Sequence, residues 1–432
     1  MLTGIALIIG ICLLCLSRDF GHFQAALHLT IAITSVAFFF DLSRSRRVET
    51  YSLPLSLGYL FRLALLYYDV YSGDLLHLPL VGGPLDSDPL RFYTAAVALA
   101  GGRTVRYGGS FSRLFGWIFS VTGDDRLWGQ FVVMMFSVAS LCVLGKILDE
   151  LDVSETARVK SMLMVCLLPN CAFLSVIFRR ETIIMFFIAV SLLYYLRWAK
   201  GGAGDSAFVA AVVFALLASL FHGATGLIAL GYLAVRIAYN PKTKVFTLKA
   251  VNVITGVVLV GAFLVIYSRY GEVFFNKLER VDEGIETIAS MRDAGGSSYA
   301  QYVGDSRTPL RMLLFAVPRF MYYMFSPFPW QWRGVSDIIT FLLSSCVYLL
   351  ILINSVRYIR RRGRQDPNRS LLIAVLIPAL LMAIVFSWGV TNTGTATRHR
   401  DKFLVLYAVM FALNYPERIR LLRSSLKPGQ LR

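Results

Sequence analysis

Charge is scarce in this chain. Asp, Glu, Lys and Arg make up 16% of its 432 residues, against 56% hydrophobic, and the mean hydropathy is +0.63. That excludes a soluble globular domain, which needs far more polar side chains to cover its surface. No polar stretch is long enough to be cut out as a soluble domain either, so residues 1–432 are read as a single integral membrane domain. The six cysteines (Cys12, Cys15, Cys142, Cys166, Cys171 and Cys346) fall inside apolar runs at no metal-ligand spacing, which predicts free, buried thiols. The first run, MLTGIALIIGICLLCL, lacks the basic start and small-residue cleavage site of a secretory signal, so it is read as a retained span. The net charge of +17 is scattered through short connectors rather than gathered in one hydrophilic stretch, which argues against a nucleic-acid partner. A transporter of lipid-linked sugars would show internal repeats and charges at mid-membrane; no convincing repeat is found, and Arg62 is the only plain charge in the middle of a run.

What is present from end to end is apolar runs of about 17 to 22 residues, long enough to cross the hydrocarbon as helices that satisfy their own backbone. About twelve spans are predicted, at residues 2–16, 24–40, 51–69, 128–148, 160–178, 182–198, 207–221, 224–238, 250–268, 335–356, 370–387 and 403–414. The fold class that follows is an all-α polytopic integral membrane protein. Lys and Arg in short loops are retained in the cytoplasm. The richest basic connectors, SRSRR (43–47), RIAYNPKTK (236–244), RYIRRRGRQDPNR (357–369) and RIRLLRSSLK (418–427), all fall on one side when twelve spans alternate, which predicts both termini in the cytoplasm. The outer side then carries long loops at about 70–127 and 269–334, a shorter one at 388–401, and tight turns at 179–181 and near His222. Two amphipathic pieces in the long loops, SFSRLFGWIFSVTG (110–123) and PLRMLLFAVPRFMYYMFSPFPWQW (309–332), mix Arg with aromatics as helices lying in the headgroup layer do, although the second also reads as a further span.

Four outward segments carry candidate chemistry. SVIFRRETIIMFF (175–187) puts Arg179 and Arg180 at the outer end of the fifth span and Glu181 at the start of the sixth. Either the guanidinium groups snorkel to water as interfacial caps, or a turn of almost no length holds them rigidly as an anion clamp. Among the outward basic residues only Lys277 and Lys402 are lysines, and arginine is the residue that grips phosphate through a two-pronged fork. The ligand expected is a lipid-linked phosphate or pyrophosphate. TNTGTATRHRDK (391–402) packs Arg398, His399, Arg400, Asp401 and Lys402 before the last span, either as a second anion site, as the other half of the first, or as a basic collar. VGGPLDSDPLRFYTAA (81–96) offers Asp86 and Asp88, a pair suited to a divalent cation or to one general base; alternatively Asp88 merely caps the helix opened by Pro89. SLFHGATG places His222 at the outer end of the seventh span, as a proton shuttle or as a structural histidine.

Taken in order, FRRETIIMFFIAVSLLYYLRWAK, FALLASLFHGATGLIAL, the acidic-aromatic DSDPLRFY and the late TRHRDKF resemble the Wzy-type polysaccharide polymerases, particularly their EpsG-like branch, over about residues 86–411. The chain departs from that branch at Arg180-Glu181, where Arg-Gln is more usual. The loop carboxylates also look like the first-loop acidic motif of the GT-C glycosyltransferases, whose architecture is close. The resemblance implies a GT-C-like enzyme of the bacterial cytoplasmic membrane, working at the outer leaflet on undecaprenyl-pyrophosphate-linked oligosaccharides, alongside membrane lipids and flippase and chain-length-regulator proteins. It implies that Arg179, Arg180, Arg398 and Arg400 hold the pyrophosphate, that Asp88 or Asp86 is the base with His222 as second choice, and that Arg311, Arg319, Trp330 and Trp332 line the sugar or lipid path. No metal or cofactor is expected. A single-sugar GT-C transferase with a polyprenyl-monophosphate donor is the nearest alternative, and a lipid-linked sugar transporter the next.

Overall fold

The computed structural model describes residues 1–18, 21–44, 49–72, 88–105, 108–247, 254, 258, 298–299, 309–363 and 366–415. Helices account for nearly all of them. In chain order they are α1 (Leu2–Ser17), α2 (Phe23–Arg44), α3 (Ser52–Tyr71), α4 (Asp88–Ala100), α5 (Gly109–Thr122), α6 (Arg126–Glu150), α7 (Glu155–Leu167), α8 (Pro169–Leu174), α9 (Glu181–Ala199), α10 (Asp205–Ser219) and α11 (Ile228–Ala238). After a short hairpin of β1 (Tyr239–Asn240) and β2 (Val245–Phe246) come α12 (Pro309–Phe325), α13 (Val335–Arg361), α14 (Pro367–Trp388), α15 (Thr393–Asp401) and α16 (Leu404–Asn414). Among the described residues α2, α6, α9, α13 and α14 are long and apolar enough to cross a membrane; α1, α10, the Gly223–Ala238 segment and α16 are apolar but shorter.

The ends of these helices are set by local chemistry. Asp125 caps α6 by accepting from Trp128 N, Ser154 caps α7 from Ala157 N, and Asp366 caps α14 from Asn368 and Arg369 N with Pro367 in the first helical position. Helices α6 and α9 run parallel, since Glu150 near the end of one grips Arg197 near the end of the other at 2.6 Å. Glu181 and Arg197 are about 24 Å apart along α9 at 1.5 Å per residue, so they mark opposite ends of the bundle. Polar contacts between helix ends sort accordingly. Met1 with Asp41, Tyr51 and Arg158 with Asp149, and Arg236 with Asp205 belong to the Arg197 end. Gln24 with Asp125, and Asp69 with Arg126 and Gln130, belong to the Glu181 end. The core between them is built from α6, α9 and α16; α16 is buried almost all round, as a helix apolar on every face must be.

Three expectations are corrected. The fifth run, 160–178, is not one helix: α7 stops at Leu167, α8 occupies Pro169–Leu174, and residues 175–180 are non-helical. Pro169 has no N–H to give the preceding turn and pushes Leu168 out of the helical region, to ψ 114°. The break is lined by Arg62 of α3, fully buried, which donates to Cys166 O at 2.8 Å and to Ser137 Oγ at 3.2 Å. The eighth run opens with a 3-10 turn, Gly223–Leu227, before α11 begins. The thiols are free, yet only Cys166 and Cys171 are buried, and Cys12 is exposed on the apolar flank of α1. The ninth expected span, 250–268, lies almost wholly outside the described residues, as do Asp86 and most of the 269–334 loop.

Candidate anion-binding site

The non-helical residues 175–180 are held from two sides. Gln130 donates through Nε2 to Val176 O at 2.8 Å and to the Asp69 carboxylate at 2.7 Å. Phe178 sits among Tyr93, Phe111, Phe115 and Phe119, with ring centroids 4.6 to 5.9 Å away, which docks the α4–α5 pair on the turn. Helix α6 comes so close there that a Cβ on Gly129 would lie 2.6 Å from the Phe178 ring. Arg179, Arg180 and Glu181 are thereby presented at the start of α9 on a supported backbone.

Three further segments meet them. Arg180 donates to Phe221 O at 3.1 Å, beside His222, and its guanidinium lies 5.6 Å over the ring of Phe92 on α4. Arg398 on α15 donates to Asp88 Oδ2 at 3.0 Å with one nitrogen and to Thr395 Oγ1 at 3.0 Å with another. His222 and His399 meet edge to face at 5.2 Å, and both pack on Phe386 of α14, at 5.3 and 4.8 Å. Lys402, fully buried, is 2.7 Å from His399 Nδ1 and 4.0 Å from Glu181 Oε1. Arg179 is 2% exposed, and its charge acts on Glu181 together with those of Lys402, Arg180 and Arg398. Among the described residues four cations therefore face two carboxylates, Glu181 and Asp88.

Protonation states follow from this crowding. Burial, and then the charges of Lys402, His222, Arg398 and Arg180, hold His399 well below the usual histidine range, so its imidazole is neutral near pH 7. An ammonium only donates, so Lys402 fills Nδ1 of His399 and leaves the ring proton on Nε2, a neutral donor. Asp401 is the reverse case. Its burial pushes its carboxyl up to about 7 despite Arg400 beside it and the hydroxyl of Tyr348 at 3.1 Å. A carboxyl raised in the folded state stabilises it fully below the unfolded value of 3.8, and that contribution is lost as pH rises towards 7. Asp401→Asn, which mimics the protonated form, is expected to flatten the fall in melting temperature between about pH 4 and 7; a profile as steep as the wild type's would assign the slope elsewhere.

The remaining expected site residues are not all brought together. Arg400 faces away: 1% exposed, it donates to the carbonyls of Met324 and Ser326 and to Ser345 and Thr397 hydroxyls, between α12, α13 and α15. Arg319 lies 5.2 Å over the Trp388 ring. Trp330 is 62% exposed and stacks on Phe328 at 4.7 Å, while Trp332 donates to Pro327 O at 3.2 Å. They form an aromatic ledge joined through Tyr322 and Tyr299 to Thr391, just ahead of α15. Arg311 is in the first turn of α12, and Asp86 lies outside the described residues. Glu181 was visible in the sequence without a role of its own, and His399 and Lys402 only as members of the 391–402 cluster; the signal available was the i, i+3 spacing of His399 and Lys402, which only a helix turns into a contact.

Among the described residues no group of three or more His, Cys, Asp or Glu comes together as a metal-ligand set. Two small clefts, about 50 and 130 Å³, lie at the opposite end beside Lys200 and Asp366 and are too small for a sugar on a lipid. No family model matches this chain, and no curated protein or solved structure is found to be similar to it.

Proposed function

We propose that the protein is a membrane glycosyltransferase that polymerises polyprenyl-pyrophosphate-linked oligosaccharide repeat units at the outer leaflet of a bacterial cytoplasmic membrane, in the manner of the Wzy-type polymerases it resembles. The reading takes the chain as about twelve spans in a GT-C-like arrangement with both termini cytoplasmic, so that the Glu181 end of the bundle faces outwards. The observation that carries it is the meeting of Arg179, Arg180, Arg398 and Lys402 around two carboxylates at one end of membrane-length helices. Three arginine forks and an ammonium in one cluster suit the two phosphate groups of a pyrophosphate diester, which carries two negative charges.

In the reaction the acceptor hydroxyl oxygen bonds to the anomeric carbon, the bond from that carbon to pyrophosphate breaks, and its electron pair leaves with the pyrophosphate. The arginine forks, with His399 Nε2–H as a neutral donor, stabilise that leaving charge. The hydroxyl proton goes to a base. Asp88 suits this once a phosphate group has taken over Arg398: its side chain is 45% exposed, and its carboxylate lies beside the arginine that would hold the donor. His222 is the second choice. Mass spectrometry of lipid-linked glycans from cells with and without the protein tests the reading. Loss of long polymer with accumulation of one complete repeat unit supports it; a unit one sugar short makes the protein a single-sugar transferase.

A further inference from the structure

Glu181 is a carboxylate of the site to which the reaction above gives no part. Its carboxylate is nine-tenths buried at the first position of α9, the end of a helix that favours an anion. Its Oε2 accepts no hydrogen bond among the described residues, and Oε1 is 4.0 Å from Lys402 Nζ, beyond hydrogen-bonding distance. Around it stand Lys402, Arg179, Arg180 and Arg398, from two segments, the 175–180 turn and the last turn of α15. A lone carboxylate buried in so loose a shell of cations is not a tight structural ion pair, which would bring the groups to about 2.8 Å. Without it, four cations would crowd one another at a place where water screens little.

We propose that Glu181 is a positioning residue for the anion site: it holds Lys402 and the three arginines in array while the site is empty, and yields them to the phosphate groups of the ligand. This rests on the proposed reading of the cluster as a phosphate site. Glu181 thus competes with the ligand for the same charges. It keeps affinity moderate and the cations in register, with Lys402 kept against His399. Removing its charge therefore has two opposite effects: the anion binds more tightly, and the groups that must act on it are misplaced.

The test is binding of inorganic pyrophosphate to the full-length protein in lipid nanodiscs, together with polymer formation by the same samples. Glu181→Gln is expected to bind pyrophosphate about tenfold more tightly while turnover falls, because one opposing charge a few ångströms away is lost. Glu181→Asp, which keeps the charge, binds as the wild type does. Should Glu181→Gln fail to fold, the double variant Glu181→Gln/Lys402→Met, which restores the net charge, is expected to bind near wild-type affinity, whereas Lys402→Met alone binds about tenfold more weakly. A purely structural glutamate would give weaker binding in Glu181→Gln, and unchanged or weaker binding there overturns the proposal. A wild-type protein with no affinity for pyrophosphate overturns the reading of the site as well, so the two failures are distinguishable.

Discussion

Arg398→Lys is expected to lower the rate of polymer formation by about 10²- to 10³-fold while the protein still inserts and folds. Arg398 uses its fork in two directions, one nitrogen on Asp88 and another on Thr395 Oγ1, so the guanidinium plane is fixed before any ligand arrives. A lysine keeps the charge but presents a single point donor, which cannot hold Thr395 and a phosphate oxygen together. The loss therefore falls on orientation of the leaving pyrophosphate rather than on long-range attraction, and kcat should drop more than KM rises. Thermal unfolding of the variant should lie close to the wild type's, because Arg398 is partly exposed and its ion pair with Asp88 is half open to solvent. Activity within a few-fold of wild type would reduce Arg398 to a tie between α4 and α15.

The helices were legible because apolar runs announce themselves, and the caps at Asp125, Ser154 and Asp366 stand where the runs begin. The break at Pro169 was present in the sequence, but an apolar run of spanning length overrode it; the bundle accepts the break because Arg62, 104 residues away, reaches the carbonyl of Cys166. The candidate site was legible as three basic segments, not as a geometry. Read as a loop, TRHRDK is one cluster. As helix α15 it divides, because residues two apart point to opposite faces at 100° each: Arg398 turns to Asp88, and Arg400 turns into the core. Nor does any local pattern announce that Asp88 and Arg398, 310 residues apart, are partners.

That division sets the last prediction, since the neighbour of Arg398 should answer a different experiment. Arg400→Met is expected to destabilise the protein by about 3–5 kcal/mol, seen as a fall of several degrees in melting temperature. The carbonyls of Met324 and Ser326 close the end of α12, where helical carbonyls lack partners from their own helix; Arg400 donates to both, and Ser326 O also accepts from Ser345 Oγ at 2.7 Å. Methionine fills much of the space but leaves Met324 O without this donor in a dry interior, while Ser326 O keeps the Ser345 hydroxyl. It also strips Asp401 of the cation that favours its charged form. A second substitution separates the two costs. Adding Asp401→Asn should recover part of the loss at pH 8, where the acid would otherwise have to ionise without its partner. It should recover less at pH 5.5, where Asp401 is protonated in the folded protein with or without Arg400 and only the cost of that protonation is relieved. A rescue no larger at pH 8 than at pH 5.5 would mean that losing Arg400 costs Asp401 nothing further at the higher pH, and that the lost hydrogen bonds account for the destabilisation by Arg400→Met. Pyrophosphate affinity of whatever Arg400→Met protein remains folded should match the wild type's; a loss of binding there would return Arg400 to the anion site from which its hydrogen bonds now direct it away.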